Sequence, residues 1–122
     1  MSEPHLDANV GDLVFNEAGL IPAIIQDDDD DVVLMMAWMT PETVEMTLQE
    51  GRTVFWSRSR SEIWRKGETS GERQWVRSVN YDCDGDVLLI RVKQDGTGAC
   101  HTGERTCFHR VLAASQTPSE ES

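Results

Sequence analysis

Three aspartates and a cysteine stand together in the second half of the chain, within residues 82–86. The aspartates are Asp82, Asp84 and Asp86, and Cys83 lies between the first two. If the backbone is extended there, alternate side chains share a face, so the carboxylates point one way and the thiol the other. Carboxylate oxygens suit Mg²⁺, whereas a thiolate suits Zn²⁺. The segment therefore predicts two sets of metal ligands on one short strand.

The other two cysteines, Cys100 and Cys107, could complete a zinc site with Cys83. Structural zinc usually has four protein ligands, so three thiols leave one position for a histidine or for a water that does hydrolytic chemistry. His101 could be that ligand or a general base, because histidine titrates near neutral pH. The alternative is that the cysteines are small buried hydrophobic residues. Their aspartate and histidine neighbours favour the metal site.

An ordinary acidic turn is the alternative for the aspartates, because Asp-Gly is a favoured hairpin dipeptide. Two of the acids would satisfy such a turn, which leaves Asp86 unexplained. Three unpaired carboxylates would repel one another, and a bound divalent cation removes that repulsion. The third acid therefore favours a cation site over a simple turn.

Cations gather in the polar, glycine-punctuated residues 57–71, although the chain as a whole is strongly acidic. Guanidinium groups, hydroxyls and loop amides can bind phosphate together, but the spacing matches no P-loop. The alternative is a solvated loop. Trp64 could stack on a nucleotide base, or it could belong to a core or an interface. The predicted substrate-binding residues are Arg58, Arg60, Trp64, Lys66, Glu68, Thr69 and Ser70.

The chain has 122 residues and a formal net charge of −11, which indicate a single domain and exclude some partners. Nucleic acids and anionic membranes bind basic patches, so neither is an expected partner. No apolar run reaches the length of a membrane helix, and the N-terminus lacks a signal-peptide pattern. Three cysteines cannot all pair within one chain, so we expect reduced thiols and a cytoplasmic location.

The first strands are predicted around a run of five aspartates at residues 27–31, which turns the chain. Residues 20–26 before it are β-rich, and Pro22 favours an edge strand or a strand start because it lacks a ladder donor. The apolar residues 32–39 after it are typical of a strand covered on both faces, or of a buried helix. The acidic turn before them favours a strand that forms a hairpin with the first. The aspartate run, with the acidic tail, is typical of solvation at high salt, and its further role stays open.

A helix follows the hairpin and covers the sheet. Thr40 is the expected N-cap, with Pro41 in the first helical position, and Gly51 ends the helix. Val44 and Leu48 share its inward face.

The remaining strands are predicted at residues 53–56, 74–81 and 86–93, with exposed loops at 57–61 and 64–71. The fold class is therefore α+β: a mostly antiparallel sheet with one short covering helix and metal-binding loops at the sheet rim. Residues 1–12 are expected to form a flexible arm, 13–114 a single domain and 115–122 a disordered tail.

The motifs taken together resemble one family. Their order and spacing are similar to those of phosphoribosyl-AMP cyclohydrolase of histidine biosynthesis, over about residues 19–110. The segments that carry the resemblance are Trp56-Ser57-Arg58-Ser59-Arg60, Lys66-Gly67-Glu68-Thr69-Ser70-Gly71, Asp82-Cys83-Asp84-Gly85-Asp86 and Cys100-His101-Thr102-Gly103-Glu104-Arg105-Thr106-Cys107-Phe108.

The resemblance implies a zinc- and magnesium-dependent hydrolase that opens the adenine ring of N1-(5-phosphoribosyl)-AMP between N1 and C6. This cyclic-amidine hydrolysis is the third step of L-histidine biosynthesis and yields the phosphoribosyl-formimino aminoimidazole carboxamide nucleotide. It implies one Zn²⁺ per subunit on Cys83, Cys100 and Cys107, shared across a homodimer interface, and Mg²⁺ on Asp82, Asp84 and Asp86. His101 is the expected proton acceptor.

Two other functions remain possible from the residues. A zinc-stabilised binding module would use the same thiols without catalysis. A deaminase of adenine nucleotides would attack the same carbon, but its His-x-Glu and Pro-Cys-x-x-Cys signature is absent.

Overall fold

A computed structural model describes residues 10–96 and 104–114 of the chain. Within these two ranges the chain forms one α-helix and six strands, after a short 3-10 helix at Val10–Asp12. None of the helices in these two ranges is long and apolar enough to cross a bilayer. The elements are β1 (Ile21–Asp27), β2 (Val33–Met39), α1 (Pro41–Glu50), β3 (Val54–Ser57), β4 (Glu62–Arg65), β5 (Gln74–Tyr81) and β6 (Leu88–Gln94).

The six strands form one mixed sheet in the order β4-β3-β2-β1-β6-β5. The hairpins β1–β2 and β5–β6 are antiparallel, as are β2–β3 and β3–β4. The central pair β1–β6 is parallel, from Ala23 opposite Leu88 to Asp27 opposite Val92. The prediction of a mostly antiparallel sheet is therefore corrected to a mixed one. The sequence signals for hairpins act between strands that are neighbours in the chain. The β1–β6 pairing joins two strands that are far apart in sequence, so those signals do not predict it.

β1 lies in the middle of the sheet, so the edge-strand interpretation of Pro22 is wrong and the strand-start interpretation is confirmed. Pro22 is the second residue of β1 and faces Trp38 of β2. Pairing with β6 begins only at Ala23. The missing N–H of the proline therefore costs no ladder hydrogen bond on the β6 side.

The predicted hairpin is confirmed, but β2 is not covered on both faces. Leu34 and Met39 are fully buried, whereas Val33 is 39% and Met36 is 41% exposed. A register shift in the β1–β2 ladder next to Ile25 disturbs the alternation of the strand. An apolar run therefore indicated the strand correctly and its burial only in part.

The core lies between α1 and one face of the central strands. Alternate residues of β1 and β6 point into it, as the period of two requires. Val44 of α1 and Phe55 of β3 belong to the same buried cluster. The buried core residues are Ile21, Ala23, Ile25, Leu34, Met35, Met39, Val44, Phe55, Leu88, Ile90 and Val92.

Helix α1 begins and ends where its caps predict. The Thr40 hydroxyl accepts a hydrogen bond from the N–H of Thr43, and the Thr43 hydroxyl accepts one from the N–H of Thr40. Gly51 adopts φ +74° and its N–H donates to the carbonyl of Thr47. The inward face differs from the prediction, because Val44 is buried but Leu48 is 44% exposed. Thr43 and Thr47 are buried instead.

The sheet curls, so that residues 51–53 before β3 form hydrogen bonds with β5. The N–H of Thr53 donates to the carbonyl of Gln74, and Val76 donates to Gly51. A buried side-chain chain reinforces this seam: the Thr53 hydroxyl donates to Gln74 Oε1, and Gln74 Nε2 donates to Gln94 Oε1. Gln94 Nε2 in turn donates to the carbonyl of Glu72. These hydrogen bonds fix the end of the loop that follows β4.

Part of the segment predicted as an exposed loop is structured. Glu62–Arg65 is strand β4, paired with β3 from Ser57 to Val54. Lys66 and Gly67 after it are buried. β4 lies at the edge of the sheet and buries few of its side chains. Its sequence therefore lacks a clear hydrophobic pattern, and the strand was not predicted.

Replacing Gly67 with alanine should destabilise the protein more than replacing Gly71. Both residues have positive φ, +84° and +82°, and an alanine pays about 1–2 kcal/mol for that conformation. At Gly67 a Cβ would also lie 2.4 Å from the backbone nitrogen of Arg73, whereas at Gly71 nothing lies within 4 Å.

We expect Gly67→Ala to lower the free energy of unfolding by at least about 1 kcal/mol more than Gly71→Ala, because a backbone must move. Urea denaturation of the two variants measures the difference. Equal losses would contradict the close approach of the two loop segments.

Candidate functional site

The three aspartates lie in a turn and not on an extended strand, so the two-faced strand is wrong. β5 ends at Tyr81 and β6 begins at Leu88. Between them the N–H of Asp82 donates to the carbonyl of Val87 over 3.1 Å, and Gly85 donates to the carbonyl of Asp82 over 2.9 Å. Gly85 has φ +74°, a conformation that glycine adopts without strain and that breaks the alternation of faces.

The turn nevertheless brings the carboxylates together. Asp82, Asp84 and Asp86 each offer an oxygen within 4.8 Å of the others, and all three are exposed. Asp82 Oδ1 also accepts a hydrogen bond from the backbone of Asp86 over 3.0 Å. Oxygen ligands in this arrangement suit a hard divalent cation.

The electrostatics of the turn at residues 82–86, called the carboxylate turn below, also favour a bound cation. A hydrogen bond with the Asp82 carboxyl, then partial desolvation and the negative charges of Asp82 and Asp84, raise the pKa of Asp86. The charged form of Asp86 is therefore disfavoured by its own neighbours. A proton or a cation would relieve this repulsion, so the donor set fits a bound Mg²⁺.

The cysteines are described only in part. Cys83 and Cys107 are both exposed. The thiol of Cys83 lies 3.8 Å from Oδ1 of Asp84, and the N–H of Cys107 donates to the carbonyl of Leu34 over 2.7 Å. Cys100 and His101, the other predicted zinc ligand and the predicted base, lie outside the described residues.

Cys83 and Cys107 lie at opposite ends of the strands. Cys83 follows Tyr81, which pairs with Leu88 at the start of β6. Cys107 binds Leu34, beside the β1–β2 turn at the far end of β1. Leu34 lies level with Ile25 and Gln26 of β1, whereas Leu88 faces Ala23. This difference is about 8 Å along the strands at roughly 3.3 Å per residue, and each strand spacing between β5 and β2 adds about 5 Å.

That separation matters for zinc, because two thiolates on one ion lie only about 4 Å apart. A cysteine side chain is too short to span the difference. A single chain therefore does not bring these two thiols to one tetrahedral ion.

A pocket of about 670 Å³ opens beside β4 and the loop that follows it. Six of the seven predicted substrate-binding residues line it, and Arg58 does not. Further lining residues that the sequence did not single out include Glu62, Arg65 and Glu72. The lining residues among the predicted seven are Arg60, Trp64, Lys66, Glu68, Thr69 and Ser70.

The aromatic residues of this region hold the cations in place. Trp64 is half-buried and packs on Phe55, with ring centroids 5.3 Å apart. The ammonium of Lys66 lies 5.9 Å from the Trp64 ring centroid, and the guanidinium of Arg58 lies 4.8 Å from that of Trp38. Trp64 is thus partly a core residue, which was one of its predicted alternatives.

Acidic residues pair with several of the pocket's cations. Arg60 lies 3.4 Å from Glu62, and Arg52 behind the pocket lies 3.6 Å from Glu68. Arg65 donates to both carboxylate oxygens of Glu50, at 3.1 and 2.9 Å. This fork lowers the pKa of Glu50 and raises that of Arg65. Arg65 therefore links the pocket to the end of α1. Its position next to Trp64 in the sequence was the signal that could have identified it as a pocket residue.

Comparisons with known proteins show which family of proteins the chain is similar to. A sequence model described as phosphoribosyl-AMP cyclohydrolase matches residues 35–109. A phosphoribosyl-AMP cyclohydrolase of Salinibacter ruber is 60% identical over 113 residues, which cover 93% of this chain and 85% of that protein. One of Marinobacter nauticus is 51% identical over 86% of this chain and 76% of its own length.

A longer relative is also similar. The histidine biosynthesis bifunctional protein HisIE of Thermosynechococcus vestitus is 58% identical over 90% of this chain, and the match spans 51% of that protein. The chain thus spans about half the length of the bifunctional relatives that it matches. By the extent of these matches, the chain belongs to the phosphoribosyl-AMP cyclohydrolase family.

Proposed function

We propose that this chain hydrolyses N1-(5-phosphoribosyl)-AMP, opening the adenine ring between N1 and C6. The product is the phosphoribosyl-formimino aminoimidazole carboxamide nucleotide of histidine biosynthesis, and the reaction takes place in the cytoplasm. The 60% identity to a protein named phosphoribosyl-AMP cyclohydrolase, over 93% of the chain, is the observation that carries the assignment.

The carboxylate turn is the proposed magnesium site. Asp82, Asp84 and Asp86 offer converging oxygens, and the raised pKa of Asp86 reflects repulsion that a cation offsets. The substrate carries two phosphates, and the chain has a formal net charge of −11, so their charges repel each other. Magnesium on the turn would give those phosphates a positive partner.

Cys83, Cys100 and Cys107 are the proposed zinc ligands. When bound, zinc supplies a water that ionises near neutral pH, which attack on the adenine C6 requires. His101, next to Cys100 in the sequence, is the proposed acceptor of the proton. Cys83 and Cys107 are both exposed at the surface of the chain, which supports this role.

The pocket beside β4 is the proposed binding site for part of the nucleotide. Arg60 and Lys66 offer positive charge, Thr69 and Ser70 offer hydroxyls, and Trp64 offers an aromatic edge. Arg58 lies outside the lining, with its guanidinium over the ring of Trp38.

A homodimer with zinc sites shared between its two chains is the proposed assembly. Cys83 and Cys107 lie at opposite ends of the strands, too far apart for one ion. Two chains related by a two-fold axis could place Cys83 of one beside Cys107 of the other, twice over. The separation within one chain supports this arrangement.

Turnover tests the proposed activity directly. The purified chain, supplied with zinc and magnesium, should change the ultraviolet absorbance of phosphoribosyl-AMP as the ring opens, without releasing ammonia. Chelation of zinc should stop the reaction, and added zinc should restore it. A folded, zinc-loaded chain that leaves the substrate unchanged would favour a non-catalytic binding module instead.

Mixing two inactive variants tests the shared zinc site. Cys83→Ser and Cys107→Ser should each abolish activity, because each removes one ligand from every site. A mixed dimer keeps one intact site, so random exchange of equal amounts should restore about a quarter of the unmodified activity.

The matched control mixes Cys83→Ser with the Cys83→Ser, Cys107→Ser double variant, which leaves no intact site in any pairing. Mass-tagged chains verify that exchange has occurred. No recovery in verified mixed dimers would show that each site is built within one chain.

Replacing Asp86 with asparagine should stabilise the metal-free chain and remove its response to Mg²⁺. The raised pKa means that ionised Asp86 weakens the folded state at neutral pH, and stability rises as the pH falls through that pKa. A neutral amide removes this cost and one cation ligand together.

Thermal unfolding with and without Mg²⁺ at neutral pH measures both effects. Glu17→Gln is the control, because it removes an equal charge from an exposed position before β1 and should keep the response to Mg²⁺. An Asp86→Asn chain that Mg²⁺ still stabilises would refute the magnesium site.

A further inference from the structure

The acidic run at residues 27–31 holds an arginine that lies two positions before Cys107. Nη2 of Arg105 lies 3.1 Å from Oδ2 of Asp27 and 2.8 Å from Oδ2 of Asp30. The Asp27 side chain is only 9% exposed, so this pair is partly shielded from water. Asp27, Asp30 and Arg105 together are called the arginine clamp below.

The turn is shaped to present these two oxygens. Oδ1 of Asp27 accepts hydrogen bonds from the N–H groups of Asp29 and Asp30, at 2.7 and 3.3 Å. Oδ1 of Asp30 accepts one from Val32 over 3.1 Å. Each carboxylate therefore uses one oxygen to fix the turn and the other to hold Arg105. The hydrogen bond from Arg105 also lowers the pKa of Asp30, which keeps that carboxylate charged.

The contacts continue from Arg105 to the cysteine. The Thr106 hydroxyl donates to the carbonyl of Val33 over 2.7 Å and accepts from the N–H of Phe108 over 3.0 Å. The N–H of Cys107 donates to the carbonyl of Leu34 over 2.7 Å. The segment thus lies along β2, where its backbone is held while the Cys107 residue stays exposed.

We propose that the arginine clamp positions Cys107 for zinc, an inference that rests on the proposed zinc site. A ligand that is already held in place loses little conformational freedom when the ion binds. Residues 105–107 belong to no strand of the described sheet, so their position depends on a few hydrogen bonds. The clamp is the charged part of that attachment, and the aspartate run thereby gains a role beyond solvation.

The same run provides a matched control. Asp31 forms an ion pair with Nη2 of Arg91, and Nε of Arg91 lies 2.8 Å from Oδ1 of Asp28. These pairs tie the turn to β6 and do not include Arg105. Asp31→Asn therefore removes one charge from the same turn without touching the clamp, and asparagine tolerates the φ of +67° found there.

Competition with a chelator measures the zinc affinity of each variant. We expect Arg105→Gln to weaken zinc binding about ten-fold, the loss typical of a group that supports a metal ligand. Asp30→Asn should weaken it less, and the double variant should bind no worse than Arg105→Gln alone, because the two act through one contact. Arg105→Lys should recover part of the loss, and Asp31→Asn should change nothing.

Two further measurements separate positioning from folding and from substrate binding. In the metal-free chain, the Cys107 amide should exchange its hydrogen faster in Arg105→Gln, while the amides of β1 and β6 should not. Activity of Arg105→Gln should return to that of the unmodified chain at saturating zinc, which a lost contact with substrate would not allow.

Equal zinc affinity and equal exchange at Cys107 in Arg105→Gln and the unmodified chain would overturn the clamp while leaving the zinc site intact. A chain without any substitution that binds no zinc would overturn the zinc site itself, and the role of the clamp with it.

Discussion

The parallel pairing of β1 with β6 determines where the candidate ligands in the described residues lie. It joins two antiparallel hairpins side by side with their central strands running the same way. The turn after β1 and the turn before β6 must then lie at opposite ends of the sheet. The turn after β1 contains the aspartate run, which binds Arg105 in the segment of Cys107. The turn before β6 is the carboxylate turn, which carries Cys83, so the separation of the two thiols is a consequence of strand direction.

What the sequence predicted depends on how local the signal is. The caps of α1 act within one turn of helix, and Thr40, Pro41 and Gly51 gave both of its ends correctly. The β1–β2 hairpin joins neighbours, and it too was confirmed. The β1–β6 pairing depends on burial across the whole core, for which no local residue is a signal. For the same reason the pattern missed strand β4, whose pairing with β3 is clear only in the fold.

The candidate site shows the same division between residue type and conformation. Asp82, Asp84 and Asp86 converge as the chemistry required, but through a turn at Gly85 and not by alternation along a strand. Residue types are sufficient to name a ligand set, because the chemistry of oxygen and sulfur does not depend on the fold. The backbone path that joins the ligands depends on one glycine with positive φ, and Asp-Gly permits both a turn and an interruption of a strand.

The two acidic clusters of the chain are treated in opposite ways by the fold. In the turn at residues 27–31, Arg105 neutralises the acids from within the chain and lowers the pKa of Asp30. In the turn at residues 82–86, the groups that shift Asp86 are themselves acidic and raise its pKa. An internally paired cluster is a structural attachment, whereas a cluster left repelling itself calls for a positive charge from solution. The pKa of Asp30 is therefore lowered in the cluster that holds a segment in place, and the pKa of Asp86 is raised in the cluster proposed to hold a metal.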